Sequence, residues 1–306
     1  LFFSNYGQVF WKKGFQVPEA GRSSKGRAIT NLLKLRDGEE IHTILRVPEF
    51  DEERFIVFAT RNGVVKKTKL EAYSRPKKGG IRAILVDEDD EVVSVRLASP
   101  GDTVMLSMAC GRAIRFDESG VRAMGRSSRG VKGAKLLGDD QVVGMVVAEP
   151  DAFLLTASVN GYGKRTPLSD YPIKGRGGQG VIDIRTTERN GKVITAKFCR
   201  EADEAMFITE SGMIVRTSIA DISTVGRNTQ GVRLVNLKDG DSLVSVEIIS
   251  SADLERFTDE EADGEVRDDA AGSSDLDSSD LDSGDAAAGD ATDESGESDP
   301  ETPAED

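Results

Sequence analysis

Five times along this chain a short apolar run meets a glycine, basic residues follow, and a second glycine stands a near-constant distance beyond. The first glycines are Gly7, Gly63, Gly111, Gly161 and Gly212, and their partners are Gly26, Gly80, Gly130, Gly180 and Gly231. The inner spacing is 19 residues in four copies and 17 in the second, and the outer period is 48 to 56. A period of that length marks a propeller, a solenoid or an array, in which each unit buries its faces only against its neighbours.

Each copy reads as four short strands. An apolar first strand, such as Phe55-Ile56-Val57-Phe58 or Ala205-Met206-Phe207-Ile208, runs into a turn such as Arg61-Asn62-Gly63. Asn-Gly accepts positive φ and favours a hairpin. The second strand mixes apolar and basic residues, as in Val64-Val65-Lys66-Lys67. Ten residues after the first glycine stands an anchor: Val17, Tyr73, Val121, Tyr171 or Ile222. A Gly- and Arg/Lys-rich loop follows, then a third strand (Val181-Ile182-Asp183-Ile184), a polar turn, and a fourth strand such as Val142-Val143-Gly144-Met145-Val146. The β-branched content and strand-length runs predict an all-β, propeller-like array of four-stranded blades, with repeats near 1–50, 51–100, 101–150, 151–200 and 201–250.

Charge divides the chain near residue 250. Residues 251–306 carry 22 acidic residues and only Arg256 and Arg267 as bases. Poor in aromatic and β-branched residues, this segment is expected to be a disordered acidic tail. Residues 1–250 hold 38 Lys and Arg against 32 Asp and Glu, a net of +6, so the whole-chain value of −14 conceals a basic body. The two cysteines, Cys110 and Cys199, and the single His42 form no ligand cluster. The reading therefore places no metal and no catalytic residue in this chain, and takes the cysteines as thiols of a reducing cytoplasm. No apolar run is long enough for a membrane helix and no signal peptide opens the chain. Leu1 already lies inside an apolar run, which points to a piece cut from a longer polypeptide.

The bases recur at two phases of the repeat. On the second strand they are Lys66, Lys67, Arg115, Lys164, Arg165 and Arg216, with Lys12 and Lys13 following Trp11 in the first copy. Before and around the second glycine they are Arg22, Lys25, Arg27, then Arg75, Lys77, Lys78, then Arg126, Arg129, Lys132, then Lys174, Arg176, and finally Arg227. Equivalent places in a radial array form one belt. A curved belt of Lys and Arg, with glycines that let backbone approach phosphate, suits duplex DNA. Gly175-Arg176-Gly177-Gly178-Gln179-Gly180 lacks the following helix of a dinucleotide site. Trp11 is expected in the core.

Several of these stretches resemble the C-terminal domain of the bacterial DNA gyrase A subunit. They are Gln16-Val17-Pro18-Glu19-Ala20, Thr60 to Thr68 (Thr-Arg-Asn-Gly-Val-Val-Lys-Lys-Thr), Val121-Arg122-Ala123-Met124-Gly125, Asn160-Gly161-Tyr162-Gly163-Lys164-Arg165-Thr166, and Val225 to Val232. The resemblance covers about residues 1–250. It implies a β-pinwheel of six blades that exchange strands, wraps duplex DNA on a basic perimeter and presents a positive crossover for ATP-dependent negative supercoiling. It further implies a non-catalytic, monomeric fragment of a cytoplasmic, nucleoid-associated enzyme. Its partners would be DNA and the remaining A- and B-subunit domains, which supply the cleavage tyrosine, ATP and magnesium sites. The family's Gln-Arg-Arg-Gly-Gly-Lys-Gly box is absent; Arg176-Gly177-Gly178-Gln179-Gly180 is its nearest counterpart, so five of six blades are expected here. Two alternatives are a topoisomerase IV A-subunit domain that selects DNA geometry, and a protein-binding propeller.

Overall fold

The computed structural model describes residues 1–18, 25–77, 79–148 and 151–254. The first repeat supplies β1 (Phe2–Ser4), β2 (Gln8–Phe10) and β3 (Ile41–Ile44). The second supplies β4 (Phe55–Thr60), β5 (Val64–Lys69), β6 (Ile81–Arg82) and β7 (Val92–Ala98). The third supplies β8 (Thr103–Met108), β9 (Arg112–Asp117), β10 (Val131–Lys132) and β11 (Val142–Ala148). The fourth supplies β12 (Phe153–Ser158), β13 (Tyr162–Pro167), β14 (Val181–Ile182) and β15 (Val193–Cys199). The fifth supplies β16 (Glu204–Thr209), β17 (Ile214–Ser218), β18 (Val232–Arg233) and β19 (Leu243–Ile249).

These strands make five antiparallel blades, all-β as the periodicity requires, and the short third strand of each repeat leaves home. The sheet orders are β3-β1-β2-β6, β10-β5-β4-β7, β11-β8-β9-β14, β15-β12-β13-β18 and β17-β16-β19. Repeats two to five therefore each lend a two-residue strand to the preceding blade. Among the described residues the fifth blade keeps three strands.

The first glycine of each repeat shows how the loan is held. Gly111 has φ +82°, and a Cβ there would lie 2.1 Å from the Ile184 carbonyl oxygen of the incoming segment. Its own carbonyl accepts the amides of Asp183 at 2.9 Å and Ile184 at 3.1 Å. A side chain at this position would be strained by φ and would collide with the guest strand. Gly212, in the blade without a guest, faces open space.

The core runs between blades as well as within them. One cluster joins Val57 and Val65 of the second blade to Leu106, Phe116 and Val142 of the third. Another sets Phe3 of the first blade 5.5 Å from Phe58 and 6.2 Å from Tyr73 of the second repeat, both edge-on. Such pairs add about 0.5–1.5 kcal/mol beyond their buried area. The innermost strands pack in sequence, β3 on β7, β7 on β11, β11 on β15 and β15 on β19. Tyr73, Val121, Tyr171 and Ile222 are buried anchors, whereas Val17 is exposed. Trp11 is half-buried, stacked on Phe50 at 6.0 Å, with its indole nitrogen enclosed and unpartnered. Cys199 is buried, Cys110 partly so, and both are free thiols.

Residues 251–254, placed in the disordered tail by composition, form a single helical turn. It is tied down by the Ser251 amide, which donates to the Asp203 carboxylate at 3.0 Å. The rest of the acidic segment lies outside the described residues.

Candidate nucleic-acid interface

Most of the second-strand bases face inward. Lys67 and Arg165 are each 6% exposed, and Lys66 and Lys164 are fully buried. The position four after the first glycine points at the next repeat. Lys67 bonds the carbonyl and the carboxylate of Glu118 in the third repeat's turn. Arg115 donates to the Leu168 carbonyl at 2.8 Å in the fourth repeat's turn. Arg165 donates to the carbonyls of Ile222 at 2.6 Å and Ala220 at 3.3 Å in the fifth. Each base thus ties its strand to the short 3-10 turn next door, adding a second donor to the Glu118 and Leu168 carbonyls, which already accept from Val121 N and Tyr171 N. Arg216, in the blade with no successor among the described residues, is exposed and pairs instead with Glu204 in its own sheet.

The preceding position, occupied by Lys66 and Lys164, lies beneath the neighbouring basic loop. Lys66 donates to the carbonyls of Ala83 at 2.7 Å and of Arg126. Lys164 lies 3.1 Å from the Asp183 carboxylate and donates to Thr166 and to the Gly226 carbonyl. Burial, with the positive charge of Arg126 adding to it, pulls Lys66 down to about 7. Burial lowers Lys164 as well, against the opposing pull of Asp183. These lysines shape the rim loops from below, and with Lys67 and Arg165 they leave the set of candidate phosphate contacts. Recurrence alone suggests otherwise; successive strand residues face opposite sides of the sheet, and both sides of these blades are covered by packed neighbours, so Lys66 and Lys67 are buried alike, as are Lys164 and Arg165.

The loops around the second glycines form the outer rim. They are hydrogen-bonded in series: Leu85 N to Ser128 O at 3.1 Å, Lys135 N to Gly178 O at 2.8 Å, and Arg185 N to Thr229 O at 2.8 Å. Side chains repeat the linkage. Arg176 donates to Gly120 O and Lys132 O of the preceding repeat, and Arg227 to Ile182 O. These arginines spend some donors on carbonyls that carry no net charge, so their positive charge still faces outward.

Of the bases singled out in sequence, Lys13, Lys25, Arg27, Arg75, Lys77, Lys132, Lys174 and Arg176 are exposed, and Lys12, Arg126 and Arg227 partly so. Arg129 is exposed but engaged with Asp87. Arg115 is half-buried in its turn contact. Arg22 and Lys78 fall outside the described residues. Sequence reading missed Arg82 and Arg233 on the lent strands, and Lys135, Arg185 and Arg189 just after them. All five are exposed. They follow the second glycine by two, five or nine residues, a spacing that carries no signal until the strand exchange is known.

No helix among the described residues is long and apolar enough to cross a membrane. The family model "DNA gyrase C-terminal domain, beta-propeller" matches residues 1–48, 54–99, 109–149, 152–200 and 203–250. The DNA gyrase A subunit of Salmonella typhimurium is 44% identical over 276 residues, 90% of this chain and 31% of that protein. Its Staphylococcus aureus counterpart is 42% identical over 264 residues, 85% of this chain and 30% of that protein. The chain therefore spans less than a third of the length of these relatives. Among solved structures, a DNA topoisomerase IV C-terminal domain superposes with a TM-score of 0.75 at 26% identity, covering 82% of this chain and 78% of the other. A DNA gyrase A C-terminal domain gives 0.71 at 26% identity, covering 81% of each.

Proposed function

This chain belongs to the DNA gyrase C-terminal domain family, and from that premise we propose that its rim binds duplex DNA through the phosphates and bends it around the blades. The observation that carries the proposal is the hydrogen-bonded series of rim loops, with Arg126, Lys132, Lys135, Lys174, Arg176, Arg185 and Arg227 along it. Donors of this kind read the backbone and not the bases, so binding has little sequence preference.

Bending is the harder step. A 40–90° bend costs about 1–6 kcal/mol, and passage around several blades bends DNA further. Contacts from one loop are too few to offset that, whereas a rim of linked loops adds them in register. In the longer protein the curved duplex would present a positive crossover to catalytic domains elsewhere, with ATP-driven strand passage giving negative supercoils. The partners would be the B subunit with the remaining A-subunit domains, in the bacterial cytoplasm beside the nucleoid. The chemistry would belong to those domains.

The test is a binding titration with duplexes of unrelated sequence across a salt series. The reading expects near-equal affinities and a log–log salt slope of several units, because each neutralised phosphate releases counterion. Salt-independent retention, or strong preference for one duplex, would overturn it and favour a protein partner.

A further inference from the structure

Tyr162 opens β13, and its hydroxyl accepts from Arg233 Nη2 at 2.9 Å. Its ring lies 4.7 Å from the Arg189 guanidinium carbon and 5.5 Å from that of Arg233. Arg189 comes from the polar turn before β15, and Arg233 from β18, the strand lent by the fifth repeat. Three segments thus converge on one tyrosine ring. Hydrogen bonding from Arg189 and then Arg233 holds that phenol below its ordinary range.

Neither arginine is paired with a carboxylate among the described residues, and both are exposed. Beside the second repeat's turn two arginines are neutralised: Arg61 pairs with Glu91 at 3.1 Å, and Arg129 with Asp87. The turn itself is exceptional. The corresponding turns of the second, third and fifth repeats end in carboxylates that cap the first hairpin, Asp90 on Asn62 N, Asp140 on Cys110 N and Asp241 on Ser211 N. In the fourth repeat the Asn190 carbonyl takes that amide, from Asn160 at 3.2 Å, and Arg189 stands beside it. The end of the blade is acidic in three repeats, whereas in this one Glu188 is the turn's single carboxylate and Arg189 and Lys192 outnumber it.

Two uncompensated guanidinium groups, aligned by a shared phenol, match the geometry of one phosphate better than scattered surface charge does. Resting on the DNA-binding reading above, we infer that Tyr162, Arg189 and Arg233 form a phosphate clamp that fixes one backbone phosphate of the duplex where it crosses the fourth blade. Tyr162 is the positioning residue and the two arginines make the contact. The clamp sets where the duplex leaves the belt, because the same end of the neighbouring blades repels phosphate.

The experiment uses the full chain with a duplex long enough to span several blades, and with inorganic phosphate as a second probe. Arg189→Ala with Arg233→Ala should weaken duplex binding about tenfold and lower the salt slope by roughly one. Tyr162→Phe should cost less, since both cations remain. Wild-type Tyr162 should titrate at higher pH when duplex is bound, followed by its near-ultraviolet absorbance, because phosphate takes over its donors and adds negative charge. Arg126→Ala should also weaken binding yet leave that duplex-induced shift in place. A shift with inorganic phosphate as well identifies a general phosphate site, and a shift with duplex alone identifies a backbone site; both support the clamp. Normal duplex binding by the double variant, or a Tyr162 titration that duplex does not move, would overturn the clamp and leave the DNA reading standing. Failure of the wild-type chain to bind duplex at all would instead remove the function it rests on.

Discussion

The second and fourth blades bury a lysine at the same step of the repeat and accommodate it in opposite ways. In the fourth, Lys164 sits in a polar well. Asp183 receives it at 3.1 Å and also accepts from Tyr171 at 2.6 Å and Thr156 at 2.7 Å. In the second, Lys66 sits in an apolar one. Ala83 occupies the place of Asp183, Phe58 that of Thr156, and the Thr68 hydroxyl is buried without a partner. Lys66 has two carbonyls and the face of Phe58, 5.8 Å away, in place of a carboxylate. Identical residues at identical phase thus carry different charge economies. A buried, hydrogen-bonded network holds a cation, whereas an apolar well drives it towards neutrality. Neither lysine reaches solvent, so recurrence of a base in a repeat marks a structural position as readily as a binding one.

The contrast breaks most visibly at the carboxylate. Asp183→Ala leaves the Lys164 charge without its counter-ion, and takes the carboxylate acceptor from the Tyr171 and Thr156 hydroxyls. Removing one partner of a buried pair costs about 3–5 kcal/mol, which for a domain of this size lowers Tm by roughly 10 °C. Calorimetry on the full chain measures it, and an unchanged Tm would mean that the polar well is not formed.

A pH series separates the two wells. Lys66 is held near 7 in the folded chain and returns to about 10.4 when unfolded. Between those values the unfolded state binds the extra proton, so stability rises with pH through that window by a few kcal/mol. Below about 7 both states are protonated and the cost of burying the ammonium is borne in full. Lys66→Met should remove this rise while changing neutral-pH stability by only about 1 kcal/mol, since an apolar chain of similar length fills the well. Ala83→Asp should reduce it, by giving Lys66 the counter-ion that Lys164 has. Denaturant melts at several pH values decide; a wild-type stability flat from pH 7 to 10 would contradict the assignment.

The smallest effect on stability belongs to the rim. Charge reversal at Lys132 and Lys174 should leave Tm within about 1 °C, because exposed charges contribute little to folding. The same change should weaken duplex binding at least tenfold. A large loss of Tm would put these residues among the structural bases after all.

The four-strand repeat, four of the five anchors and the glycine turns were legible in the sequence because each rests on local chemistry: β-branched runs, Asn-Gly pairs, an apolar or aromatic residue ten positions on; Val17, the fifth anchor, is exposed. The lending of strands was not readable from any one repeat, since two residues such as Val181-Ile182 have no preference between two sheets. That lending hid Arg82 and Arg233, while close packing against the next repeat's short turn took Lys67, Arg115 and Arg165 out of the surface. A bulge adds a second limit. The register of β11 against β8 shifts between Val142 and Gly144, so Val142 and Met145 are buried while Val143 is only half so, and simple alternation fails across it.

The central claim is that the rim curves duplex DNA, and the distance between the ends of a bound duplex tests it most directly. With donor and acceptor dyes on the two ends of a duplex that spans several blades, wild-type protein should bring the ends together at low salt and release them as salt is raised. Charge reversal at Arg126 with Arg176 should abolish the approach, while Lys66→Met, which alters a buried base, should preserve it. Ends that stay at their free separation when wild-type protein is saturating, or that approach equally with the rim variant, would contradict the account.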